Sequence, residues 1–306
     1  MEAGISITVK RALTPQKGGF LASGFTHTLN PYVGCAFGRV GCPFCYVRES
    51  PVGQFGPGVW GTWVRQKVNI AEVLEQELCK PVARHYRVFM ASATDPYQPA
   101  EASACLTQRC LAVLHSHPVD WLVVQTRSLL VQRDFALLAK LPFATLNVSI
   151  ETDLPDVHRR FTRSSAAPER RMTLVRLALS LGIFTQITVS PLLPSSTTFA
   201  ETLAHAVGET GRVIVDTFLD GDGSGGQRSA RLGMDMLLAD AGFPGWFTRC
   251  QEHAHELRRR LLPLVGPERV LWSAEGFSMK PVVTALMAGV EMTGKQGERH
   301  EYSHGD

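Results

Sequence analysis

A chain of 306 residues with 44% hydrophobic and 19% charged residues has ample material for a buried core, and suits one large α/β domain with extensions or two ordinary domains. Its formal net charge of +3 is too small to imply nucleic acid by itself, and no uninterrupted apolar run approaches the roughly 20 residues of a membrane span. The amino-terminal MEAGISITVKRALTPQKGG lacks an apolar signal core, and an odd seven cysteines, three of them clustered, fit a reducing compartment better than a disulfide framework, so a cytoplasmic protein without a membrane anchor is expected.

In chain order, an amino-terminal extension (1–26) leads to a first strand near 27–33 and a helix near 69–80. From about residue 85, short β-branched and aromatic runs alternate with segments of helical period. YRVFMASA (86–93) precedes a helix at 99–116, VDWLVVQT (119–126) one at 130–140, and FATLNVSI (143–150) one at 167–182. IFTQITVS (183–190) precedes a helix at 198–209, and RVIVDTFL (212–219) closes the series. Six strand-helix units with right-handed crossovers make a parallel sheet that curls toward a partial, TIM-like barrel, here placed at 27–220. A barrel carries its chemistry at the carboxyl ends of its strands. The cysteine loop, TDPYQP, TRS, SIET and SPLLP all begin where a predicted strand ends. The remainder (221–306) reads as a carboxyl-terminal loop and helical segment. DGDGSGGQRS (220–229) has the composition of a mobile loop, either a substrate lid or a linker, and 246–265 of an amphipathic helix. His253 and His255 within that helix point to different sides and do not share a metal, and a polar tail follows from 293. The basic clusters HRRFTR (158–163) and ELRRRLLP (256–263) read as solvated helix faces before phosphate sites.

Cys35, Cys42 and Cys45 fall within eleven residues and constrain function most. Such crowded thiolates select zinc, copper(I) or an iron-sulfur cluster. A closed structural zinc site takes four ligands, whereas a four-iron cluster on three thiolates keeps one iron open for a ligand. The cluster is the leading reading; zinc with a distant fourth ligand, and buried or redox-active cysteines, stay open beside it.

TLNPYVGC (28–35) with CPFCY (42–46), TDPYQPAE (94–101), SIET (149–152), APERRMTLVRLALSLGI (167–183) and SPLLP (190–194) resemble the radical S-adenosylmethionine enzymes, in the branch related to spore photoproduct lyase. Members of that family usually space their cysteines three and then two residues apart, whereas six residues separate Cys35 from Cys42 here. The resemblance implies a four-iron, four-sulfur cluster ([4Fe-4S]) on Cys35, Cys42 and Cys45, with S-adenosylmethionine chelating the open iron. It implies reductive cleavage to a 5′-deoxyadenosyl radical that abstracts hydrogen from a substrate, and a reducing partner such as a flavodoxin or ferredoxin. It further implies a set of cofactor-binding residues. Phe44 would lie beside the adenine, Thr94 would contact the cofactor, and Asp95 would accept from its ammonium. Arg127 would hold its carboxylate where the lyase branch carries a lysine, and Ser149 and Glu151 would meet ribose and sulfonium, with Arg171 and Ser190 completing the set.

One departure bears on reaction type. Where spore photoproduct lyase has a cysteine that returns hydrogen to the product radical, this chain has Ser92, whose O–H bond is too strong for that role. Tyr97 is the candidate relay in its place, while Cys105 and Cys110 read as packing. The substrate expected is therefore a DNA lesion or other nucleic acid, or a peptide or small molecule. A non-catalytic metal- or cluster-bearing nucleic-acid-binding protein, and an electron-transfer protein, are the readings of other classes.

Overall fold

The computed structural model describes residues 5–38 and 41–281. Its strands are β1 (Ile5–Ile7), β2 (Leu13–Pro15), β3 (His27–Leu29), β4 (Tyr32–Cys35), β5 (Trp63–Lys67), β6 (Arg87–Met90), β7 (Trp121–Thr126), β8 (Ala144–Ser149), β9 (Thr185–Val189), β10 (Arg212–Val215) and β11 (Val270–Trp272). Eight of them form one sheet in the order β11-β10-β9-β8-β7-β6-β3-β2. Every pairing from β3 through β11 is parallel, and β2 lies antiparallel on the edge. The sheet curls without closing, giving the partial barrel that the alternating pattern predicts.

Period-two alternation builds the two cores. On β6, Val88 and Met90 face outward into the main core beneath the crossover helices, while Phe89 between them faces the barrel interior. Trp121 and Val123 on β7 repeat the inward direction, with Leu122 and Val124 outward. Phe277, on a short helix Ser273–Ser278, packs against Phe89 in the interior. The main-chain carbonyls of Ser278 and Met279 accept from Arg87 and Arg212, the first residues of β6 and β10, so this segment closes the amino end of the barrel. The carboxyl end is left for chemistry.

Several elements differ from expectation. The strand foreseen at 27–33 is two strands. Pro31, which lacks an N–H, separates them, and β4 leaves the barrel to pair with β5, whose other edge carries β1. The helix foreseen at 99–116 breaks at Cys105, at φ 50°, because the buried Glu101 carboxylate turns under the next helix and accepts from the amides of Thr107 and Gln108. The helix foreseen at 130–140 is a 3-10 turn (Leu129–Asp134) followed by one helical turn (Phe135–Leu138). The helix face read at 158–163 belongs to a short helix, Pro155–Phe161, and the strand β11 was not signalled by the sequence.

The loop expected to be mobile at 220–229 is folded. Asp222, 3% exposed, accepts from the amides of Ser224, Gly226 and Ser229 and from the hydroxyls of Ser224 and Ser229. Positive φ at Gly223, Gly225 and Gly226 lets the chain wrap that carboxylate. The polar tail from 293 lies outside the described residues. Among the described residues no helix is long and apolar enough to cross a membrane.

Candidate active site

A cavity opens at the carboxyl end of the barrel, and most of its walls continue strands. Ala91 to Asp95 extend β6, Gln125 to Arg127 end β7, Ser149 ends β8, and Ser190 and Pro191 follow β9. Thr217 to Asp222, after β10, form the far wall. The folded Gly-rich loop is therefore a fixed wall of the cavity.

Cys35, Cys42 and Cys45 all face this space, the first from the end of β4 and the others from the loop that follows. A turn in which the Cys45 amide donates to the Cys42 carbonyl at 3.1 Å brings the second and third thiols to one side. Gln98 holds the loop to the barrel: its carbonyl accepts from the Ala36 amide at 3.2 Å and its amide donates to the Thr94 hydroxyl at 3.4 Å. β4 is anchored in turn by Tyr32, whose hydroxyl donates to Glu101, itself paired with Arg133 at 2.6 Å.

The thiols sense one another. Burial pushes Cys35 up to about 12, and ionised Cys45 and Cys42 push in the same direction. Burial also raises Cys42, against the pull of Arg127. A bound soft metal reverses this logic by taking thiolates directly. Among the described residues no three His, Cys, Asp or Glu side chains form a ready-made site for a single ion.

Arg127 occupies the centre of the site. Its guanidinium donates to the Cys42 sulfur at 2.8 Å, stands 3.2 Å from a Glu151 oxygen and lies over the Phe44 ring at 5.8 Å. Glu151 is fully buried and is bound on its other oxygen by Arg171 at 2.8 Å; Arg171 also donates to the Ser149 carbonyl. Burial works against the Glu151 charge, but Arg171 and then Arg127 outweigh it and hold the carboxyl below its ordinary range.

The structure thus sorts the residues singled out in the sequence. Phe44, Thr94, Asp95, Arg127, Ser149 and Ser190 line the cavity with the three cysteines. Glu151 and Arg171 do not; they form a buried ion pair outside the residues that line it. Asp95 lines the cavity but its oxygens accept from the Tyr97 and Arg127 amides and the Thr126 hydroxyl, which makes it the brace between the β6 and β7 loops. Tyr97 is outside the site. Its ring is 1% exposed in the main core and its hydroxyl donates to Asp134 at 3.1 Å, and neither residue lines the cavity where the relay was expected.

Two site residues escaped the sequence reading. Tyr46, immediately after Cys45, lines the cavity and donates its hydroxyl to the Ser92 carbonyl at 3.1 Å. Its signal was present in CPFCY, adjacent to a cysteine already chosen. Asp216, after β10, is fully buried behind Ser190, whose hydroxyl it accepts at 2.8 Å; burial raises its carboxyl to about 6.

Comparison with known proteins decides the family. The model of the Radical SAM superfamily matches residues 29–203, more than half of the chain. The chain belongs to that superfamily. An uncharacterised protein of Mycobacterium tuberculosis strain H37Rv is 30% identical over 269 residues, covering 80% of this chain and 75% of that protein. An uncharacterised protein of Methanocaldococcus jannaschii is 26% identical over 190 residues, 62% of this chain and 68% of its own. Among solved structures, a spore photoproduct lyase variant superposes with a TM-score of 0.62 at 11% identity, over 88% of this chain and 81% of its own. The lyase complexed with dinucleoside spore photoproduct gives 0.59 at 12% identity, with 88% and 81% covered. The radical SAM chain shares the lyase's fold. Membership in the superfamily implies S-adenosylmethionine and an iron-sulfur cluster, and the thiol-lined cavity fits both.

Proposed function

We propose that this protein is a radical S-adenosylmethionine enzyme that holds a four-iron, four-sulfur cluster on Cys35, Cys42 and Cys45 and abstracts a hydrogen atom from a substrate in the adjoining cavity. The carrying observation is that three thiols from one loop face the cavity at the strand ends, with a cation against one of the sulfurs. When bound, the cluster and S-adenosylmethionine supply the chemistry: one electron splits the sulfonium into methionine and a 5′-deoxyadenosyl radical.

The chain's own residues bind, orient and exclude water. Phe44 gives the cysteine side of the cavity an apolar face, Trp60 and Val47 add to it, and Thr94, Ser149 and Ser190 give the lining hydroxyl groups suited to a polar cofactor. Ser190 is fixed by its bond to Asp216, and Asp95 sets the β6 and β7 loops at one level. Tyr46 is the phenol placed to give a hydrogen atom to a substrate radical, the phenoxyl radical left behind being restored by one electron from the external reductant and a proton from solvent. Delocalisation of the phenoxyl weakens its O–H bond relative to the alcohol of Ser92, against whose carbonyl it rests. The reaction outcome therefore differs from a thiol-quenched lyase at this position, and the substrate is a nucleic-acid lesion, a peptide or a small molecule with an abstractable C–H.

The non-catalytic nucleic-acid-binding reading finds less support. In the two basic clusters, Arg159 pairs with Asp156, Arg259 with Glu256 and Arg260 with Glu201, so much of their charge is neutralised locally.

Anaerobic reconstitution with iron and sulfide, reduction by dithionite and addition of S-adenosylmethionine test the proposal. About four irons per chain, absorption near about 400 nm from thiolate-ligated iron and slow release of 5′-deoxyadenosine are expected. A protein that binds one zinc in place of iron, or that reduces without cleaving the cofactor, overturns it.

A further inference from the structure

We propose that Arg127 is a positioning residue for the cluster itself: its guanidinium donates to the Cys42 sulfur and favours the reduced, more negative state of the cluster. This rests on the reading of Cys35, Cys42 and Cys45 as cluster ligands. The geometry assigns Arg127 to the sulfur because that contact, at 2.8 Å, is the shortest its side chain makes. The side chain is not free to swing away. Its own amide donates to Asp95 at 2.9 Å, its second terminal nitrogen faces Glu151 at 3.2 Å, and its plane lies over Phe44, the residue between Cys42 and Cys45. Glu151 cannot follow a moving Arg127, since Arg171, fully buried, holds its other oxygen at 2.8 Å.

A planar fork is needed for this task. A guanidinium spreads its donors over separate nitrogens, so one reaches a sulfur while another meets a carboxylate, whereas a lysine ammonium concentrates its charge at a point. Hydrogen bonds to cluster sulfurs and nearby charge are among the factors that set iron-sulfur potentials. A cation bonded to a ligand sulfur stabilises the form carrying the extra electron more than the oxidised form. Removing it makes the cluster harder to reduce.

The experiment is a redox titration of the reconstituted full-length protein, followed by electron paramagnetic resonance without S-adenosylmethionine, on the parent, Arg127→Lys and Arg127→Met. In Arg127→Met the ratio of reduced to oxidised cluster at a fixed potential is expected to fall about tenfold, which is about 59 mV for a one-electron couple, with Arg127→Lys between. Cofactor affinity is measured separately on the oxidised proteins. Unchanged reduction with weakened cofactor binding overturns the proposal and returns Arg127 to the carboxylate. Should the methionine variant fail to take up iron, the parent labelled with 15N-arginine decides: the reduced cluster carries a nitrogen hyperfine coupling before cofactor is added, and its absence overturns the proposal. A parent that holds no paramagnetic cluster fails the underlying reading instead.

Discussion

Replacing Glu151 by glutamine isolates what the buried charges contribute. The carboxylate is fully buried between Arg171 at 2.8 Å and Arg127 at 3.2 Å, and Arg171 is fully buried as well. Glutamine keeps the shape and one acceptor, but turns an amide toward one guanidinium and removes the counter-charge that the two cations share. Breaking a buried pair by removing one partner costs about 3–5 kcal/mol. Arg127 retains 18% exposure and its contact with Cys42, so the lower end, about 3 kcal/mol, is expected. For a chain of 306 residues that is a fall in Tm of roughly 5 °C, read by scanning calorimetry at neutral pH. Acid supplies a second check. Because the folded carboxyl is held below its ordinary range, its stabilisation is present above the unfolded value, near about 4.3, and is lost as pH falls through the lower folded value. The stability profiles of parent and Glu151→Gln therefore converge on acidification. A Tm within about 2 °C of the parent at pH 7, or profiles that stay parallel into acid, would refute the account of Glu151 as the counter-charge for two arginines.

Cys42→Ala is expected to lose the iron and the visible band while the fold, followed by circular dichroism, survives; a variant retaining four irons and full cofactor cleavage removes the cysteine assignment. Tyr97→Phe should cost about 1–3 kcal/mol by depriving buried Asp134 of a donor and leave product identity unchanged, whereas Tyr46→Phe should leave cofactor cleavage intact and alter the products, so the opposite pattern in a product assay defeats both assignments. Asp216 rises from 3.8 to about 6 through burial, so the folded state holds its proton more tightly and the parent should lose roughly 2 kcal/mol as pH rises from about 4 to 6; unfolding free energies from urea titrations of Asp216→Asn that fall by the same amount over that interval exclude this carboxyl as the cause.

How much of this could be read from the sequence depended on whether a signal was local. β6 to β10 were legible because β-branched runs alternate with helical segments, and their carboxyl ends located Thr94, Arg127, Ser149 and Ser190 on the cavity wall. Direction was not legible once a strand had ended. Asp95 accepts from the Tyr97 amide, and the turn this makes sends the tyrosine ring into the main core, a consequence no periodicity encodes. Composition also misled at 220–229, where glycine content argued for motion but a single buried carboxylate, Asp222, gathers the loop. Arg127 shows the same limit at the level of chemistry. Its place at a strand end was readable, whereas its partners come from the cysteine loop and from the residues after β8, which only the folded barrel brings together. In this chain Arg127 is thus a fork that reaches the Cys42 sulfur and a buried glutamate at once.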